Sequence, residues 1–153
     1  MSLSTRAINT FLMVKLPAAY FCGVRAKSLT KKECTTSVRL RWINQNPFKS
    51  MFWAVQGMAA ELSTGALVMQ CIRNSERPIS MLVATNKATF SKKAKGRITF
   101  TCSEGEKIQK AIDAAISTGE GQTCWMHAEG IDSDGALVSQ FAFEWTVKVK
   151  TKI

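Results

Sequence analysis

The sequence predicts an α+β fold: a long antiparallel sheet wrapped around one central hydrophobic helix, with an N-terminal helix and a second helix on the surface. Three observations predict it. Residues 51–72 form a helical stretch that is apolar or small on every face, and such a helix has to be covered on all sides. Around it stand pairs of strand-like segments joined by short polar turns, the signature of antiparallel pairing. The 153 residues carry no internal repeat, and that length fits one domain, 1–153, able to bury its own core.

In chain order, residues 4–16 form a short amphipathic helix within an N-terminal segment 1–17. Ile8, Phe11 and Leu12 share a face, and Pro17 stops it. Residues 20–28 read as a strand, with Gly23 allowing a bulge or close packing. Residues 33–42 alternate: Thr36, Val38, Leu40 and Trp42 point one way, Ser37, Arg39 and Arg41 the other. Residues 44–50 are a loop, since Asn and Pro form turns and the residue before proline avoids helix. Ser50 stands where an N-cap is expected for the central helix, residues 51–71.

Residues 79–90 read as a strand with apolar residues on both faces, as a strand covered on both sides would. Residues 91–96 are a basic turn, and 97–102 alternate again, with Ile98, Phe100 and Cys102 inward. Ser103 with Glu106 fits a capping box opening the surface helix 104–118, and Gly119 fits its C-terminal cap. Residues 122–131 and 136–150 are strands joined by the turn Asp132-Ser133-Asp134-Gly135.

The net charge of +10 favours an anionic partner. The basic residues are dispersed and no aromatic-and-glycine RNA motif is present, so nucleic acid is the weakest candidate. No run of about 18 apolar residues is present, so no membrane span is expected. The first ten residues lack a charged-then-apolar secretory layout. A cytoplasmic protein is expected. Cys22, Cys34, Cys71, Cys102 and Cys124 are scattered, and His127 is the only histidine. No metal site is expected from that set, and His127 reads as structural.

Glu61 is the only charged residue between positions 51 and 72. Burying an unpaired carboxylate is expensive, so such a group is paired, neutralised or functional. Gly57 and Gly65, one turn to either side, leave room for a ligand or another backbone. Raised in pKa by burial, Glu61 is suited to act as a general base on water. The backbone N–H groups of Phe52 and Trp53, unpaired at the positive end of the helix, are suited to a developing oxyanion. Asn46 is a candidate for holding the water or a carbonyl.

Several stretches together carry a family resemblance: Phe21-Cys22-Gly23, then Asn46-Pro47-Phe48-Lys49-Ser50-Met51-Phe52, then Glu61-Leu62-Ser63-Thr64-Gly65. Phe90-Ser91-Lys92-Lys93-Ala94-Lys95-Gly96 and Trp145-Thr146-Val147-Lys148 complete the set. In this order and spacing the chain resembles the hotdog-fold thioesterase superfamily, in its unknown-function branch related to phenylacetate-pathway acyl-CoA thioesterases. The resemblance implies a hotdog fold and hydrolysis of an acyl-CoA, with coenzyme A as part of the substrate and no separate cofactor. It implies a homodimer or tetramer, each site using the helix of one subunit and the loop of its partner.

By position, Asn46 matches the loop asparagine and Glu61 the helix acid of active relatives. Their His-Gly-Gly falls on Phe52-Trp53-Ala54 here, which is a departure. Phe48, Met58 and Gly65 would line the acyl site, and Lys92, Lys93, Lys95 and Arg97 would meet the coenzyme A phosphates. The alternative is a non-catalytic acyl-CoA or fatty-acyl binding protein using the same groove.

Overall fold

The computed structural model describes residues 3–151, so the outermost residues of the expected 1–153 domain and the start of the 1–17 segment lie outside the described residues. Helix α1 spans Thr5–Lys15 and α2 follows at Pro17–Phe21. The Ser4 side chain caps α1 by accepting from the Ala7 N–H at 3.1 Å. Pro17 ends α1 as expected, but it also opens α2. It sits at the first helical turn, where its missing N–H has no partner to lose. The strand expected from residue 20 therefore starts later, and β1 is Arg25–Leu29.

Strand β2, Cys34–Arg39, is shorter than the alternation of residues 33–42 suggests. Its pairing ends at Arg39, opposite Arg97. There Asn44 turns the chain: its amide donates to the carbonyls of Cys22 and Arg39, and its Oδ1 accepts from the Arg41 N–H. Residues Trp42–Asn44 form a 3-10 turn instead, and Trp42, expected inward, is 85% exposed.

Helix α3, Trp53–Ser75, is the central helix, and its N-cap is Phe52. Ser50 is buried in the preceding loop, bonded to Asn46, and caps nothing. Strands β3 (Ile79–Phe90) and β4 (Arg97–Cys102), helix α4 (Gly105–Thr118), and strands β5 (Gln122–Ile131) and β6 (Leu137–Val149) follow. The expected capping box of α4 is absent, because the Ser103 hydroxyl donates to Glu33 Oε2 instead. Gly119 does close α4, with φ +74°.

The six strands form one antiparallel sheet in the order β1-β2-β4-β5-β6-β3. Helix α3 packs against the sheet, and α4 beside it on β5 and β6. Ile98, Phe100, Met126, Phe143 and Trp145 are buried, as is the α4 stripe of Ile108, Ile112 and Ala115. The covered environment expected for β3 is not found. It is an edge strand with residues 84–90 exposed, since β6 alone pairs with it. All five cysteines are free thiols, and burial pushes Cys34 and Cys102 up to about 12 and Cys71 to about 11.

Candidate active site

The carboxylate of Glu61 is partly buried, and burial raises its pKa above the ordinary 4.5. Among the described residues it makes no ion pair and accepts no side-chain hydrogen bond. It opens on a cavity of about 350 Å³ between α1, α2 and α3, walled by Leu12, Leu16, Ala19, Met58 and Leu62. Lys15 borders this cavity without pairing to it. Gly65 leaves space for the carboxylate: a Cβ there would stand 3.3 Å from Glu61 Oε1 and 3.2 Å from the Trp145 ring. Trp145 is itself held by its Nε1–H, which donates to Thr64 Oγ1 at 2.9 Å.

A second cavity, of about 600 Å³, opens at the start of α3. Asn46, Phe48, Phe52, Trp53, Gln56, Lys92 and Lys93 are among its walls. The loop that shapes it is tightly built. Asn46 Oδ1 accepts from the N–H groups of Phe48 and Ser50, at 2.9 and 3.2 Å, and its Nδ2 donates to Ser50 Oγ at 3.0 Å and to the Met51 carbonyl at 3.4 Å. Both ends of the Asn46 amide are thus spent on the turn, which leaves it no free donor for a carbonyl. The Phe52 N–H is spent too, donating to the Asn44 carbonyl at 2.9 Å. That corrects the expectation for Phe52. The Trp53 N–H has no acceptor among the described residues, as the first turn of a helix allows.

The expected phosphate contacts divide in the same way. Lys92 pairs with Asp132 at 2.6 Å, and the Arg97 guanidinium donates to Ser37 Oγ at 3.2 Å. Lys93 and Lys95 make no ion pair among the described residues. Lys93 stands 6.0 Å from the centre of the Phe48 ring on the cavity wall. Lys95 and Arg97 border neither cavity. His127 sits 3.2 Å from Glu104, away from both cavities.

One chain therefore brings Asn46, Phe48, Phe52, Trp53, Lys92 and Lys93 together, and sets Glu61, Met58 and Gly65 apart from them. Glu61 lies eight residues past Trp53, roughly 12 Å along the helix axis. The sequence reading missed Gln56, a buried side chain on the wall of the larger cavity. Its signal was available. In a helix covered on all sides, every polar residue needs a partner, and Gln56 is one of the few present.

The antiparallel sheet wrapped around one long helix is the hotdog fold. The chain superposes on a Pseudomonas aeruginosa protein of unknown function described as a probable thioesterase, at 23% identity and TM-score 0.82, covering 98% of this chain and 99% of that one. It superposes on a second Pseudomonas aeruginosa thioesterase at 14% identity and TM-score 0.77, covering 98% and 97%. A Haemophilus influenzae thioesterase matches at 11% identity and TM-score 0.75, covering 99% and 95%. No curated protein matches the chain. By sequence the chain belongs to the family described as a domain of unknown function, DUF4442, whose pattern matches residues 4–147.

Proposed function

We propose that the protein is an acyl-CoA thioesterase in which Glu61 activates the attacking water. The observation that carries this is Glu61 itself: a carboxylate in apolar surroundings, without a cationic partner among the described residues, beside a cavity. Stability alone does not explain such a group. The water oxygen bonds to the thioester carbonyl carbon and gives its proton to Glu61. The negative charge passes to the carbonyl oxygen, opposite the positive start of α3 and the Trp53 N–H. As the carbonyl re-forms, the C–S bond breaks and its electron pair leaves on sulfur. Glu61 returns the proton there, yielding a carboxylic acid and the free thiol of coenzyme A.

Glu61 and the α3 start face different cavities of one chain, so a working site takes Glu61 from one copy and the larger cavity from a second. The unpaired edge of β3 supports that reading, because an open edge invites continuation of the sheet across a partner. Lys93, on the cavity wall and without an acidic partner among the described residues, would meet a coenzyme A phosphate, and Met58 and Leu62 the acyl tail.

A second reading, an acyl-CoA binding protein without turnover, has one observation in its favour: Trp53 puts a half-exposed aromatic ring where the family resemblance implies a glycine. Thiol release from a panel of aliphatic and aryl acyl-CoAs separates the two. Turnover by the wild type that is abolished by Glu61→Gln supports the enzyme. Saturable binding with no thiol released by the wild type supports the binder.

A further inference from the structure

The Gln56 side chain sits in the body of the hydrophobic helix α3 and is 4% exposed. A primary amide in that position needs partners for both ends. One end has a partner: Gln56 Oε1 accepts from Ser139 Oγ on β6 at 2.8 Å, and Ser139 is fully buried. With its oxygen on Ser139, the amide turns its NH2 the other way. The NH2 has no acceptor among the described residues. Yet the one fully enclosed side-chain polar atom without a partner there is Gln70 Oε1. Gln56 Nε2 therefore keeps access to the cavity that its side chain lines.

The space for this arrangement is built into the sheet. Gly130 lies opposite Ser139 in the β5–β6 ladder, and a Cβ at Gly130 would fall 2.5 Å from the Phe100 ring and 3.0 Å from Ser139 Oγ. Other uncharged polar side chains of α3 donate elsewhere. The hydroxyls of Ser63 and Thr64 donate to carbonyls of their own helix, and Gln70 donates to the Thr30 carbonyl. Gln56 alone among these four lines the larger cavity.

Gln56 lies one turn past Trp53, about 4.5 Å along the axis, and both residues line the larger cavity. Two donors at the positive end of a helix suit a carbonyl oxygen on which charge develops. We infer that the Gln56 carboxamide, oriented by Ser139, donates the side-chain hydrogen bond that holds the thioester carbonyl oxygen of the substrate. It takes the role for which the sequence suggested Asn46, whose amide the turn consumes. This inference rests on the thioesterase reading.

The test combines kinetics with a bound-state probe. The probe is a ketone analogue of an acyl-CoA, with a methylene in place of the thioester sulfur and a 13C-labelled carbonyl. The wild type should bind it and shift its carbonyl stretch to lower frequency. Gln56→Met, close in volume but without a donor, should lose about 100-fold in kcat with KM little changed, and should lose the shift. Ser139→Ala should show an intermediate loss of both, and it carries the test should the Met variant fail to fold. Glu61→Gln should keep the shift while losing turnover. Wild-type kcat and an unchanged shift in both the Gln56 and Ser139 variants would overturn the assignment and leave the thioesterase reading standing. A wild type that neither hydrolyses acyl-CoAs nor binds the analogue would overturn both.

Discussion

Glu61 was legible in the sequence because no other charge stands between positions 51 and 72, and the structure places it beside a cavity with nothing among the described residues to neutralise it. Two predictions belong to this residue. Burial raises its carboxyl pKa, so the native state disfavours the ionised form. The native state then has its full stability below the ordinary carboxyl pKa, and that stability is lost as pH rises through the raised one. Glu61→Gln should therefore melt at a higher temperature than the wild type at neutral pH, the difference vanishing below about pH 4. Turnover needs the ionised base, so log kcat should climb with pH through an apparent pKa above the usual glutamate range. An identical melting difference at both pH values would contradict this account of the site. For Lys93, Lys93→Glu should raise KM several-fold with kcat retained, measured at low ionic strength where the charge is least screened. What the sequence hid at this scale was which donors are already spent. Asn46 and Phe52 are consumed by bonds to Ser50 and Asn44, and loop closure of that kind leaves no periodic trace.

At the scale of elements, β3, β4 and β5 have the bounds that alternation and turn chemistry imply, because Pro78, the basic turn, Gly121 and Asp132 punctuate them. Helix α2 was missed. Tyr20 and Phe21 favour strands as isolated residues, but Pro17 at a first helical turn was the overlooked sign. The central helix is fixed to the sheet through Thr64 and Trp145, a contact invisible from either segment alone. Thr64→Val keeps the shape and leaves the buried Trp145 N–H without an acceptor. It should cost about 1–3 kcal/mol, read as a fall in the urea midpoint at unchanged slope. A midpoint equal to that of the wild type would show that the bond does not anchor the helix.

At the scale of the molecule, the wrapped sheet was legible, because a helix apolar on every face requires a wrapper. The strand order was not, and β3 lies at the edge although its composition reads as covered. Leu82 on that strand is 65% exposed, and apolar exposure beside an unpaired edge fits a face that meets another copy. A site shared between copies leaves its halves on separate surfaces of one chain, as Glu61 and the α3 start are here. The most direct test pairs two variants that damage opposite halves. Glu61→Gln removes the base, and Ser91→Trp fills the larger cavity at its rim. Each alone should be inactive. Co-refolded, their mixed dimers should hold one intact site each, restoring about a quarter of wild-type thiol release for random pairing in a symmetric dimer. Mixed dimers that form and yet release no more thiol than the parent variants would contradict a site built from two copies.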